Sequence, residues 1–199
     1  LSHQINDRLF VGLGFNAPWA TASDYTDTAA SRYTATTTDL TAYNFSPTVA
    51  YKVTDRLSVA GALNLQYYTS SFATNISPTP SAPDVDTDAS AEFTGDDFAL
   101  GVTLGVEYQA DDVWRFGASY RSAIHHEFDG DVEVRGPGVS FDGSADYDIA
   151  TPWMLQLGAH AQINSQWELY GSATVTGWTE FEDTVIETDT VLTAGGPLR

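Results

Sequence analysis

The chain has 199 residues, no cysteine, and 27 acidic against 8 basic residues, for a formal net charge of -19. That balance excludes a nucleic-acid partner, which needs a basic footprint, and the missing thiols exclude a disulfide framework and thiolate chemistry. The apolar positions are patterned, unlike those of a disordered acidic segment. No apolar run reaches the roughly 18 to 20 residues of a membrane-spanning helix, although a membrane barrel needs strands of only about 9–11 residues.

The candidate elements are strands, because apolar and polar residues alternate with a period of two. Leu9 to Phe15 and Tyr43 to Val53 alternate loosely. Leu57 to Tyr67 is cleaner: Leu57, Val59, Leu63, Leu65 and Tyr67 share one face, and Ser58, Ala60, Ala62, Asn64 and Gln66 the other. Phe98, Leu100, Val102, Leu104, Val106 and Tyr108 oppose Ala99, Gly101, Thr103, Gly105 and Glu107. Trp114, Phe116, Ala118 and Tyr120 oppose Arg115, Gly117, Ser119 and Arg121. Trp153 to Gln162 continues the pattern, and Trp167 to Trp178 carries a looser version. This predicts about seven strands and no helix.

The connections alternate in length. Short turns recur at Ile5 to Leu9, Val53 to Leu57, Ala110 to Trp114 and Ile163 to Trp167, where Asn, Asp and Ser side chains suit tight turns by bonding nearby backbone. Long polar excursions fill the intervals: about 17–39, rich in Thr and Ala; about 70–97, with Pro78, Pro80, Pro83 and the run Asp84-Val85-Asp86-Thr87-Asp88; and about 129–148. Short turns on one side, long loops on the other and aromatics at strand ends (Tyr67, Tyr68, Tyr108, Trp114, Trp153, Trp167) describe an outer-membrane barrel. A soluble β-sandwich also alternates. Its polar face, however, normally carries more Lys and Arg than a chain whose single lysine is Lys52.

Several segments then resemble the FadL/TodX family of outer-membrane transport proteins. They are Phe10 to Trp19 (FVGLGFNAPW), Pro47 to Val53, Thr94 to Gly101, Phe116 to Ser122, His126 to Gly130, Pro152-Trp153 and Gly177 to Phe181, in order over nearly the whole chain. The resemblance implies an all-β, antiparallel transmembrane β-barrel of about 14 strands, an even count as bacterial single-chain barrels have. Residues 1–199 would supply about seven of these strands in one partial barrel domain. An N-terminal hatch, the first strands and the last strands would lie outside it, and the ending Gly195-Gly196-Pro197-Leu198-Arg199 reads as an interrupted loop. Open sheet edges cannot face lipid, which supports the same expectation.

The resemblance also implies function: passive uptake of long-chain fatty acids or other hydrophobic small molecules across the bacterial outer membrane, by capture and lateral diffusion through a gap in the wall. The gap would lie at an inward kink matching Asn16, Ala17 and Pro18, just before Trp19. Pro18 cannot donate a ladder hydrogen bond and suits a kink; equally, it could simply end the strand at the loop. Tyr68 and Phe72 would border the external groove. No basic residue follows Tyr68 in that stretch, which shifts the expected ligand toward a neutral hydrocarbon.

Asn64, Gln66 and Arg121 are expected to face the lumen. Arg121 could meet a ligand carboxylate or the hatch, but a structural ion pair with Glu107 is the favoured expectation, since buried charges are usually paired. His125-His126 is not expected to bind metal, because adjacent strand residues face opposite sides. The Asp84, Asp86 and Asp88 run has Ala89 and Gly95 where a calcium loop needs Gly and an acid. No catalytic, zinc or phosphate-binding motif occurs, so no enzyme, metal or cofactor is expected. The expected partners are a hydrophobic ligand and outer-membrane lipid, and the expected state is a monomer. The rival readings are a general porin, an acidic surface receptor or adhesin, and the soluble sandwich.

Overall fold

In a computed structural model the described residues are 1–79, 81, 83–180 and 187–188. Pro80, Phe181 and the 195–199 ending lie outside them. The described residues form eleven strands: β1 (Ser2–Gln4), β2 (Leu9–Asp24), β3 (Thr37–Lys52), β4 (Leu57–Ile76), β5 (Ala89–Gln109), β6 (Trp114–Arg121), β7 (Ile124–Gly136), β8 (Val139–Thr151), β9 (Met154–Gln162), β10 (Glu168–Thr176) and β11 (Glu187–Thr188). A single 3₁₀ turn covers Trp178–Glu180. All strands belong to one antiparallel sheet in the order β1-β2-β3-β4-β5-β6-β9-β10, with β7 joined to β5 and β8, and β11 to β8.

Four turns at one end of the sheet share one construction. Asn6 Oδ1 accepts the N–H groups of Arg8 and Leu9, both at 2.9 Å. Thr54 Oγ1 accepts Arg56 and Leu57 at 3.2 and 3.0 Å. Asp111 Oδ1 accepts Val113 and Trp114 at 2.8 and 2.7 Å, and Asn164 Oδ1 accepts Gln166 and Trp167 at 2.8 and 3.0 Å. In each case one side-chain oxygen satisfies the two amides, two and three residues on, that the reversal frees. The N–H groups of Trp114 and Val113 hold the Asp111 carboxyl below its ordinary range.

The alternating faces divide by exposure. Phe98 is 59% exposed, and Leu100 and Leu104 are each 58% exposed. No second sheet covers these side chains among the described residues, as a sandwich would require. An uncovered apolar band flanked by aromatics is the lipid face of a barrel. Asn64 and Gln66, on the opposite face of β4, are buried.

The long excursions are largely strand, which corrects the loop reading. β2, β3, β4 and β5 continue well past the apolar band, and the 129–148 excursion is the β7–β8 hairpin. That hairpin turns at Pro137-Gly138, where Gly138 takes the left-handed φ of +78° that the position after Pro in a tight turn favours. Its inner face carries Phe128, Val132, Val134, Ala145, Tyr147 and Ile149, while acids such as Asp129, Asp131, Asp146 and Asp148 face outward. The acidity that suggested a loop is the solvated face of a hairpin.

Candidate functional site

Three features of the inner face adjoin one another. The first is an irregularity in β2. Asn16 pairs with Asn44 and Trp19 with Ala42, so Ala17 and Pro18 together oppose Tyr43. Two residues against one is a β-bulge, which Pro18 favours because it has no N–H to place in the ladder. Pro18 does not end the strand, which runs on to Asp24.

Below the bulge, toward the short turns, lies a polar strip. Asn44 Nδ2 donates to Ser46 Oγ at 2.6 Å and approaches Asn16 Oδ1 and Asn64 Oδ1, each at 3.4 Å. Ser46 Oγ donates to Asn64 Oδ1 at 3.1 Å, and Asn64 Nδ2 donates to Thr103 Oγ1 at 2.8 Å. Asn16, Asn44, Asn64, Thr103 and Arg121 border a concavity of about 300 Å³. Arg121 stands opposite Thr103 in the ladder. It does not pair with Glu107, which meets Arg115 at 3.8 Å. Glu107 lies four residues along β5 from Thr103, a separation the sequence alternation could not show. Arg121 Nη2 is buried with no hydrogen-bond partner among the described residues.

Above the bulge the inner face is apolar and aromatic. Leu40, Ala42, Tyr68, Phe93, Phe128, Ala145, Tyr147 and Ile149 form one buried cluster, with Trp19 and Phe72 packed against it. Phe128 stacks on Tyr147 at 4.5 Å, Phe93 meets Tyr147 edge-on at 5.0 Å, and Tyr68 meets Phe128 at 5.5 Å. Trp19 reaches Trp178 at 5.6 Å. Trp178 lies in the 3₁₀ turn just after β10, far from β2 in strand order, so that contact joins distant parts of the sheet. Gly177 packs directly against Trp153, for a Cβ there would fall inside the Trp153 indole.

A buried polar link connects cluster and strip. His126, fully buried, has Nδ1 2.9 Å from Asp97 Oδ2 and Nε2 3.0 Å from the Gln66 side-chain amide. An ionised carboxylate only accepts, so Nδ1 carries a proton; the Gln66 amide serves either charge state of the ring by presenting its carbonyl or its NH₂. His125 points outward, as the alternation required.

Outside the band, Asp88 accepts from Arg32 Nε at 3.1 Å and from the Tyr33 hydroxyl at 2.7 Å. It thereby ties the two long connections together. Burial pushes the Asp88 carboxyl up, but the Tyr33 and Arg32 hydrogen bonds outweigh it and hold the group below its ordinary value. The sequence reading weighed His126 only as half of a discounted metal pair and gave no role in the site to Asp97, Phe93, Phe128 or Tyr147, although the alternation of Phe128, Val132 and Val134 was there to be read.

A barrel-like sheet with an aromatic inner mouth, a polar strip and a bulged wall strand is the setting in which the comparisons fall. The family model described as "Outer membrane protein transport protein (OMPP1/FadL/TodX)" matches residues 1–195. The chain belongs to this family. Among characterised members, a long-chain fatty acid transport protein of Escherichia coli O6:H1 is 24% identical over 213 residues, covering 90% of this chain and 47% of that protein. Its counterpart in Salmonella typhi is 22% identical with the same coverage. The chain thus spans about half the length of the relatives it matches. Among solved structures, a Pseudomonas aeruginosa FadL homologue superposes with a TM-score of 0.86 at 20% identity, covering 94% of this chain and 50% of that one. The Ralstonia pickettii toluene transporter TbuX follows with 0.78 at 18% identity, covering 95% and 57%. Family membership places the chain in the bacterial outer membrane.

Proposed function

We propose that the protein passively imports hydrophobic small molecules, long-chain fatty acids or aromatic hydrocarbons, by capture on the inner aromatic cluster and lateral release through the wall at the β2 bulge. One observation carries the reading: Trp19 is both the residue that resumes pairing after the bulge and a member of the aromatic assembly. A ligand resting on the cluster therefore lies beside the interrupted wall. Tyr68 and Phe72 supply the apolar contact, Asn16, Ala17 and Pro18 the interruption, and Asn64 and Gln66 the polar floor. Binding and diffusion suffice, with no chemical step.

The relatives named for fatty acids and for toluene mark two ligand classes. Arg121 bears on the choice, since its unpartnered nitrogen beside the polar concavity can receive a carboxylate. The test is repair of the ladder in the intact protein, by deleting Ala17 together with Pro18→Thr. Uptake of labelled palmitate and toluene falls while the barrel still inserts. Unchanged uptake of both compounds by an inserted, ladder-repaired barrel contradicts release at the bulge.

A further inference from the structure

The wall is interrupted a second time, between β5 and the strand that continues β6. β6 pairs with β5 from Gln109↔Arg115 to Thr103↔Arg121. Ser122 adds one more step: its N–H donates to Val102 O at 2.9 Å, and its Oγ accepts from Val102 N–H at 3.0 Å. β7 joins β5 only at Asp96↔Asp129. Between these points Asp97–Gly101 faces Ala123–Phe128 without ladder pairing, five residues against six. The odd residue inverts the faces. Tyr120 opposes Leu104 on the lipid side, whereas Ile124, His126 and Phe128 turn inward and are buried.

The interruption lies within the lipid-facing band, for Phe98 and Leu100 are among its most exposed members. It also lies on the register row of the β2 bulge, since Asn16 pairs with Asn44, Asn44 with Gln66, and Gln66 with Ala99. The N–H and C=O of Val102 point at Ser122, so those of Leu100 and Phe98, two and four residues on, point into the gap. Such groups are costly against hydrocarbon. Ile124 and the Ser122 hydroxyl both sit over Gly101, Ile124 so closely that a Cβ there would lie 2.5 Å from Ile124 Cγ1. His126 then pins the departing strand to Asp97 and Gln66. The inner end of the gap opens beside Phe128 and Tyr68 of the aromatic cluster.

We propose that this interruption is a second lateral opening, separate from the β2 bulge, through which an apolar ligand leaves the inner face for the membrane, with Ile124 as its gate and the His126–Asp97 contact as its latch. The inference rests on the transport reading above, and the experiment separates the two. Palmitate uptake is measured in cells expressing the intact protein, first with the native bulge and then with the ladder-repaired bulge. Each background is combined with Ile124→Ala and Ile124→Trp, and folding is checked by resistance to unfolding in cold detergent. In the repaired background residual uptake is expected to rise with Ile124→Ala and to be lost with Ile124→Trp, whereas Ile124→Trp with the native bulge leaves uptake working. Uptake in the repaired background that ignores both Ile124 substitutions overturns the second opening while leaving the transport reading intact. Absence of protein-dependent uptake in the unsubstituted protein overturns both.

Discussion

The division of the sheet into an inner and a lipid face is tested by truncating two phenylalanines of equal size. Phe128 is 1% exposed, stacks on Tyr147, and meets Tyr68 edge-on. Replacing it with Ala removes a buried ring and its aromatic partners, a change that costs about 3–5 kcal/mol in a packed core. Phe98 is 59% exposed and points away from the cluster. Its ring touches lipid before and after truncation to Ala, so the loss is limited to its preference for hydrocarbon, below about 1 kcal/mol. Both variants of the intact protein would be refolded into micelles and unfolded with denaturant, with amide exchange followed in β7 and β8. Phe128→Ala is expected to lower the midpoint sharply and release the hairpin amides first; Phe98→Ala is expected to change little. If Phe98→Ala is as damaging as Phe128→Ala, the lipid-facing assignment of β5 is wrong and the alternating apolar residues belong to a covered core.

Gly101→Val should destabilise by about 1–3 kcal/mol through overpacking against Ile124, and the double variant with Ile124→Ala should recover most of it; simple additivity in that cycle would refute the contact. Because the Asp88 carboxyl is held low, the tie to Arg32 and Tyr33 is fully present above the free-aspartate range near pH 4 and is lost as pH falls through the lowered value. The protection factor of the Asn75 amide, which bonds Arg32 O at 2.7 Å, should fall on acidification in the native protein and be low at every pH in Asp88→Asn; an equal fall in both excludes the tie. Arg121→Gln should reduce palmitate uptake and spare toluene uptake, whereas an equal loss of both would assign Arg121 to the architecture of the strip.

How much could be read in advance depended on the faces of the strands. Where one face meets lipid, as at Phe98 to Tyr108, alternation is strict and the strand is visible in the residues alone. The four turns were visible for a similar reason, because a local side chain bonding its own backbone leaves a local signature, although that Thr54 and not Asp55 is the acceptor in the second turn came only from the structure. The upper strands were missed because their outer faces meet water. Asp, Ser and Thr alternate there with small residues such as Ala145 and Gly143, and the overall acidity masked the period of two. The Pro137-Gly138 turn signal within that stretch was passed over. The His126–Asp97–Gln66 link and the Arg115–Glu107 pair were out of reach, because they depend on register between strands, which no single segment encodes. The kink at Asn16–Pro18 was suggested by family resemblance and by proline's missing N–H; that β2 continues beyond it came only from the pairing with β3.

The most direct test of the central claim is uptake of labelled palmitate and labelled toluene by cells with and without the gene for the intact protein, at matched outer-membrane levels. Protein-dependent entry of at least one of the two is the predicted result, and the preferred compound identifies the ligand class. Entry of neither, despite confirmed insertion, would contradict hydrophobic import and leave the acidic outer surface or an open pore to account for the protein.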